Sequence, residues 1–327
     1  MEKLISAFPN NIKQAIAIAK STTFSKPNST IQNVVICGMG GSGIGGRLVQ
    51  KWVENEIQIP VTTIHDYFLP KFISKNTLLI ASSYSGNTEE TIYCVNQAIE
   101  AGAHIVGVCS GGKLEEMGET HGFQTVIVPG GNPPRTALAF SLTQLLHILN
   151  QFNLIGTTAI EQLETARQLI VASEKNIKAQ AMEMAKFLKG YVGILYGTTA
   201  YEPVLIRARQ QFNENSKLLC WHHVIPEMNH NELVGWGGGD NRFATIFFDT
   251  DDISDRNARR LEITKAVIDK MSDKKLELKC QGNNLIERSI YIINVVDWAS
   301  LYLSDLNKVD PVDIAIIDYL KGELSNF

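Results

Sequence analysis

The run Gly38-Met39-Gly40-Gly41-Ser42-Gly43-Ile44-Gly45-Gly46 constrains this chain more than any other stretch. It follows a short apolar segment, Val34-Val35-Ile36-Cys37, and leads into Arg47-Leu48-Val49-Gln50-Lys51-Trp52. That order reads as strand, glycine loop and helix. A loop with almost no Cβ atoms lets the backbone pass very close to a ligand. The helix that follows aims N–H groups back at the loop, which suits an anion and above all a phosphate. The spacing Gly-x-Gly-x-x-Gly occurs twice, at Gly38/Gly40/Gly43 and at Gly41/Gly43/Gly46. A dinucleotide fold would add an acid roughly 20 residues on, at the end of the next strand. Asp66, after Val61-Thr62-Thr63-Ile64, is a poor candidate for it. No Gly-Lys-Ser/Thr closes the loop, so it is not a Walker loop. From this stretch alone a nucleotide, another phosphate and a tight structural turn all stay open.

At 327 residues the chain is long enough for two domains. An apolar fraction of 44% with 20% charged residues is that of an ordinary soluble globular protein. The net charge of −4 gives no overall attraction for nucleic acid or an anionic membrane, and neither is expected as a partner. The five cysteines (Cys37, Cys94, Cys109, Cys220 and Cys280) form no Cys-x-x-Cys pair. Scattered and odd in number, they suggest reduced thiols and a cytoplasmic setting. The N-terminus, with Glu2 and Lys3, lacks the apolar core of a signal peptide. No run approaches the roughly 20 apolar residues that cross a bilayer.

Residues 3–20 have an amphipathic helical pattern, interrupted near Pro9-Asn10-Asn11. Strands are then predicted at 33–37, 60–65, 77–82, 104–109 and 124–128, with helices at 43–54, 87–101, 112–120 and 135–151. Apolar strands alternating with amphipathic helices indicate a parallel sheet covered on both faces. One helical stretch, 157–188, leads to a second series: strands at 191–196, 218–224, 243–249 and 275–279, helices at 200–213, 255–271, 283–305 and 311–321. Tyr191-Val192-Gly193-Ile194-Leu195-Tyr196-Gly197 echoes the segment before the glycine loop. The expected class is α/β, with two related domains at 1–155 and 156–327.

After Leu78-Leu79-Ile80-Ala81 comes Ser82-Ser83-Tyr84-Ser85-Gly86-Asn87-Thr88-Glu89-Glu90-Thr91. Ser83, Ser85 and Thr88 cluster at a helix N-terminus, at the carboxyl end of a strand. Hydroxyls and backbone N–H groups there can hold a phosphate monoester. A single such hydroxyl would be only a helix cap; three around a glycine favour a ligand. Gly-x-Gly-Gly-Ser-Gly followed by Ser-x-Ser-Gly-x-Thr-x-Glu-Thr resembles the SIS domain, a sugar-isomerase module that binds phosphosugars. Over nearly its full length the chain is similar to the bifunctional phosphoglucose/phosphomannose isomerases of archaea and bacteria. The resemblance implies two SIS-type subdomains, each a parallel sheet flanked by helices. It places Gly41 and Ser42 beside the sugar and Ser83, Ser85 and Thr88 on the phosphate, and it implies no cofactor.

Aldose–ketose isomerisation needs ring opening, a base that moves a proton between C1 and C2, and a cation near the enediolate oxygens. Asn132-Pro133-Pro134-Arg135-Thr136-Ala137 supplies an arginine at a predicted helix start, where its charge opposes the helix dipole. The resemblance gives Arg135 the enediolate. Glu214, in Phe212-Asn213-Glu214-Asn215-Ser216-Lys217, reads locally as an exposed helix-end carboxylate; the resemblance makes it the proton-shuttling base. The segment from His222 to Glu232 carries three of the seven histidines. Pro226 breaks helical metal-ligand spacing, and no metal is expected. A titratable imidazole suits ring opening, and Glu-x-Asn-His-Asn-Glu points to His230. In the family that histidine comes from the neighbouring subunit, so a homodimer is implied. Lys321, with Lys308 as a rival, is carried over as an active-site lysine. Where relatives commonly show Asp-Pro-Thr-Pro, this chain has Asp310-Pro311-Val312-Asp313. The alternative function class is a non-catalytic phosphosugar sensor.

Overall fold

The computed structural model describes residues 1–27, 29–324 and 326. The chain opens with a short helix, α1 (Glu2–Ser6), and divides into two compact units. The N-terminal unit comprises residues 6–171 with 284–287; the C-terminal unit comprises residues 1–5, 172–283 and 288–327. Both are α/β units built on parallel sheets, as the alternating pattern predicts.

In the N-terminal unit five parallel strands run in the order β2-β1-β3-β4-β5: β1 (Asn33–Cys37), β2 (Val61–Ile64), β3 (Thr77–Ser82), β4 (His104–Cys109) and β5 (Gln124–Ile127). Every residue of β3 is buried, as expected of a central strand covered on both faces. One core layer joins Val35, Leu79, Ala81, Val95, Ile105 and Leu114. The helices are α2 (Phe8–Ser21), α3 (Gly40–Val53), α4 (Glu89–Glu100), α5 (Lys113–His121), α6 (Leu138–Gln151) and α7 (Thr158–Ala172). Two expectations need correcting. The helix after the glycine run starts at Gly40, three residues early, so Gly41 and Ser42 lie in its first turn. Arg135 is not at an α-helix start: Pro134–Thr136 form a separate 3-10 turn, and α6 begins at Leu138.

The helical stretch expected over 157–188 consists of two helices. Ser173 leaves helical geometry between α7 and α8 (Glu174–Leu188), and its hydroxyl donates to Gln281 Oε1 at 2.9 Å. The C-terminal sheet has the order β7-β6-β8-β9, with β6 (Val192–Thr198), β7 (Cys220–Ile225), β8 (Phe243–Asp249) and β9 (Lys275–Lys279). Its helices include α9 (Glu202–Ser216), α10 (Glu232–Gly235), α11 (Asp255–Ile268), α12 (Leu285–Asn307) and α13 (Ala315–Leu324). α9 runs three residues further than predicted. The Asn and Ser residues that would fray it are satisfied by α12: Asn215 Nδ2 donates to Ser300 Oγ at 2.9 Å, and Ser216 Oγ to Ser300 O at 2.7 Å. Deeper in, the Arg207 guanidinium donates to both Asp297 oxygens at 3.0 and 2.9 Å, with Gln211 Nε2 on Oδ1 at 2.8 Å. Among the described residues, no helix is long and apolar enough to cross a membrane.

Candidate active site

An open parallel sheet leaves a crevice beyond its strand carboxyl ends where successive connections leave toward opposite faces. In the N-terminal unit that point lies between β1 and β3, paired from Asn33↔Thr77 to Cys37↔Ala81. The glycine run follows β1 and the serine loop follows β3, so both expected ligand loops border the crevice.

The space left by the missing side chains is mostly filled by the protein itself. A Cβ on Gly38 would stand 2.5 Å from the Ser82 carbonyl oxygen, and one on Gly41 2.8 Å from the Pro134 oxygen and 3.2 Å from Arg135 Cα. One on Gly46 would meet Ile36 Cγ2 at 2.9 Å. Gly40 alone in the run faces open space, with φ +50°. The expectation of a loop opened for close ligand approach therefore narrows to this one residue. The other glycines let α3 close on β1, on the serine loop and on the turn that carries Arg135.

The hydroxyls divide into bracing and presenting groups. Ser83 is buried; its Oγ donates to Thr88 Oγ1 at 2.8 Å and accepts the Thr88 N–H at 3.4 Å. Thr88 occupies the N-cap of α4 but makes no side-chain cap bond. The first-turn N–H groups of α4 are thus not taken by the residue best placed to take them. Ser85 is exposed and its Oγ accepts the Asn87 N–H at 3.2 Å. Ser42 is only 7% exposed, and its oxygen accepts the Tyr84 N–H at 3.0 Å. It keeps its O–H and a second lone pair to offer a ligand. Gly86, with φ +70°, brings the loop against Gly111, whose oxygen lies 1.7 Å from where a Cβ would be.

Two residues here carry signals that sequence reasoning did not use. Tyr84 ties three loops together: its N–H meets Ser42, its carbonyl accepts Ser110 N and Oγ at 2.8 and 2.7 Å, and its phenol donates to Pro129 O at 2.9 Å. The tyrosine inside a serine-rich turn was the available clue. His65 Nδ1 lies 2.8 Å from Gly38 O, and burial lowers its proton affinity. Arg135 is 4% exposed, so it is not a surface arginine.

In the C-terminal unit Glu214 stands in the last turn of α9 and is half-buried rather than exposed. His230 ends a 3-10 turn, Glu227–His230, beyond the carboxyl end of β7, and is exposed. Its neighbours are anchored. Met228 is fully buried, Asn229 Nδ2 donates to Thr264 Oγ1 at 2.7 Å, and Asn231 Oδ1 accepts the Glu232 N–H at 2.6 Å. The Glu232 carboxylate in turn accepts Tyr196 OH and, at 3.3 Å, Trp221 Nε1. Burial and that carboxylate push the Tyr196 phenol far above its usual range. The result is a rigid pedestal under an exposed imidazole. His222 and His223 lie within β7, as expected. Among the described residues, no three His, Cys, Asp or Glu side chains group as metal ligands would.

Glu214 and His230 lie toward opposite ends of β7. α9 returns from the carboxyl end of β6, so its last turn lies by the amino-terminal end of β7; His230 follows the other end. The 6 residues of β7 separate them by about 20 Å. Lys321 is exposed on α13, a helix with no buried residue. Lys308 is also exposed, in left-handed geometry just after α12.

A family model for the bacterial phospho-glucose isomerase C-terminal SIS domain matches residues 177–324. A bifunctional phosphoglucose/phosphomannose isomerase of Aquifex aeolicus is 34% identical over 303 residues, 92% of each chain. One from Thermoplasma acidophilum is 36% identical over 297 residues, covering 90% of this chain and 91% of the relative. This chain belongs to the bifunctional phosphoglucose/phosphomannose isomerase family. It is accordingly an isomerase, and its two parallel sheets are those of SIS-type units. The C-terminal domain of a Francisella tularensis glucosamine-fructose-6-phosphate aminotransferase shares the fold at 15% identity, with a TM-score of 0.76 over 95% of this chain and 96% of that one.

Proposed function

We propose that this member of the family interconverts glucose 6-phosphate, and also mannose 6-phosphate, with fructose 6-phosphate through a cis-enediolate. The family relatives' names supply the two aldoses. The observation that carries the phosphosugar reading is the N-terminus of α4, which its N-cap threonine leaves uncapped while Ser85 and Thr88 stand beside it at the sheet's switch point.

The phosphate binds at that helix end, with Ser83 bracing Thr88. Gly41 and Ser42 form the wall beside the sugar. His230 protonates the ring oxygen as the O1 proton leaves, which opens the ring. Glu214 removes the C2 proton of the aldose, and the electron pair moves to form the C1–C2 double bond of the enediolate. Arg135, charged at every working pH, stabilises the oxygens. Glu214 then returns the proton to C1 while the O2 proton passes to O1, so that C2–O2 becomes the carbonyl of the ketose. Lys321 adds a second cation. No metal or cofactor enters these steps.

The separation of Glu214 from His230 supports a homodimer in which each site takes His230 from the partner subunit. A cytoplasmic enzyme fits the scattered thiols. A coupled assay with both aldose phosphates, with and without chelator, tests the reading. Glu214→Gln is expected to remove turnover, by about 10²–10⁴-fold, while fructose 6-phosphate still binds. Near-parental turnover in that variant would remove the base assignment. Tight binding of fructose 6-phosphate by the parent without turnover would favour a sensor instead.

A further inference from the structure

Lys217, three residues after Glu214, occupies a position where a lysine is out of place. It is the C-cap of α9 at φ 54°, ψ 36°, with its N–H on Phe212 O. Helices commonly end on glycine in this left-handed geometry, because any Cβ is strained there. The side chain accounts for the lysine. Its ammonium donates to three main-chain carbonyls: Glu214 O at 2.6 Å, Asp310 O at 2.8 Å and Asp313 O at 2.8 Å. An ammonium has three hydrogens, and each has an acceptor. Charge-assisted bonds of this kind are roughly twice as strong as neutral ones.

The three carbonyls come from two places. One belongs to the last turn of α9. The other two belong to residues 310–313, which lead into α13. That strap is fixed in its own right: the Asp310 carboxylate accepts the Val312 N–H at 2.8 Å, and Asp313 accepts the Ala315 N–H at 2.9 Å. Asn307 Nδ2 closes the other side on Ser216 O at 3.0 Å. This is also where the chain departs from the Asp-Pro-Thr-Pro pattern; Val312 enters the arrangement through its backbone, so the lost hydroxyl leaves the cage intact.

We propose that Lys217 is a positioning residue, its ammonium seated in a three-carbonyl cage that locks the Glu214-bearing turn of α9 to the strap before α13. The proposal rests on Glu214 being the base. By holding both ends of the strap connection, Lys217 sets where that carboxylate stands relative to C1 and C2 of the sugar. Displacing a reacting group by about 1 Å costs on the order of 10²-fold in rate.

Lys217→Gly is the informative variant, because glycine suits the left-handed backbone and leaves only the cage empty. We expect kcat with fructose 6-phosphate to fall by about 10- to 100-fold while KM stays within about twofold. Ammonium or ethylammonium ions in the millimolar range should restore much of the lost kcat, by entering the vacated cage. Lys217→Met, which keeps the stem without the charge, should show the same loss. Parental kcat in either variant would overturn the proposal. So would a loss that no ammonium ion restores and that tracks a fall in Tm, since that describes a scaffold role alone. Glu214→Gln run in parallel separates the two ideas. If it is inactive while Lys217→Gly turns over normally, only the cage proposal fails; if it is active, the base assignment fails and the cage proposal with it.

Discussion

The distance between Glu214 and His230 within one chain makes a test of subunit sharing quantitative. α9 spans 15 residues and β7 spans 6, so the helix end and the strand's far end are about 20 Å apart. General acid–base groups must come within about 3 Å of the atoms they serve, directly or through one water. In the proposed mechanism one chain does not bring both to a single sugar, and each site of the proposed dimer takes Glu214 from one copy and His230 from the other. Glu214→Gln and His230→Ala are each expected to lose about 10²–10⁴-fold as homodimers. A mixed dimer of the two, isolated with different affinity tags, then contains one site with both groups intact and one with neither. It should show about half the activity of the parent dimer. The converse pairing, parent chain with the Glu214→Gln/His230→Ala double variant, damages one group in each site and should be inactive. A reversed outcome, with the first pairing dead and the second at about half activity, would refute sharing.

Two further expectations follow from the packing and the half-buried histidines. Gly41→Ala puts a Cβ 2.8 Å from Pro134 O, so the Arg135 turn must retreat by about half an ångström to reach ordinary contact. Stability should change by less than about 2 kcal/mol, because a helix-propensity gain of up to ~1 kcal/mol offsets overpacking of ~1–3 kcal/mol. The kcat should still fall by about tenfold or more, and a parental kcat would detach Arg135 from the chemistry. Burial lowers the proton affinities of His65, His104 and His147 below the ordinary 6.5. The unfolded chain then binds protons first on acidification. Their contribution to stability is complete above about pH 6.5 and is lost as the pH falls through the depressed folded values. Melting from about pH 8 to about pH 5 should show Tm falling, less so in His104→Gln; a flat or rising Tm would contradict it.

The alternating apolar and amphipathic segments were enough to place the nine strands of the described residues within a few residues; central β3 is a continuous buried apolar run, whereas edge β9 alternates as Lys-Leu-Glu-Leu-Lys. The misses share one cause, which is that the deciding partner is distant in sequence. α9 was cut short because Asn215 and Ser216 oppose a helix locally, whereas Ser300 satisfies them 84 and 85 residues away. The break at Ser173 depends on Gln281 in the same way. Arg135 was expected at an α-helix start because nothing local says that its turn stands apart and packs against Gly41. Thr88 had the right identity for a cap, and only the structure shows that its hydroxyl accepts from Ser83 instead. Tyr84 was missed because its role lies in joining loops after β1, β4 and β5, a relation with no sequence spacing.

The crowding around the glycine run limits how the substrate preference of this enzyme can be redesigned. Gly38, Gly41 and Gly46 are spacers whose width is set by main-chain oxygens and a β-branched methyl, so adding bulk there shifts the frame and not the fit. Gly40 is the one position of the run with room for a side chain, and its φ of +50° favours asparagine or aspartate among newcomers. A mutant library aimed at sugar selectivity would use its diversity better at Gly40 than across the motif that first draws the eye.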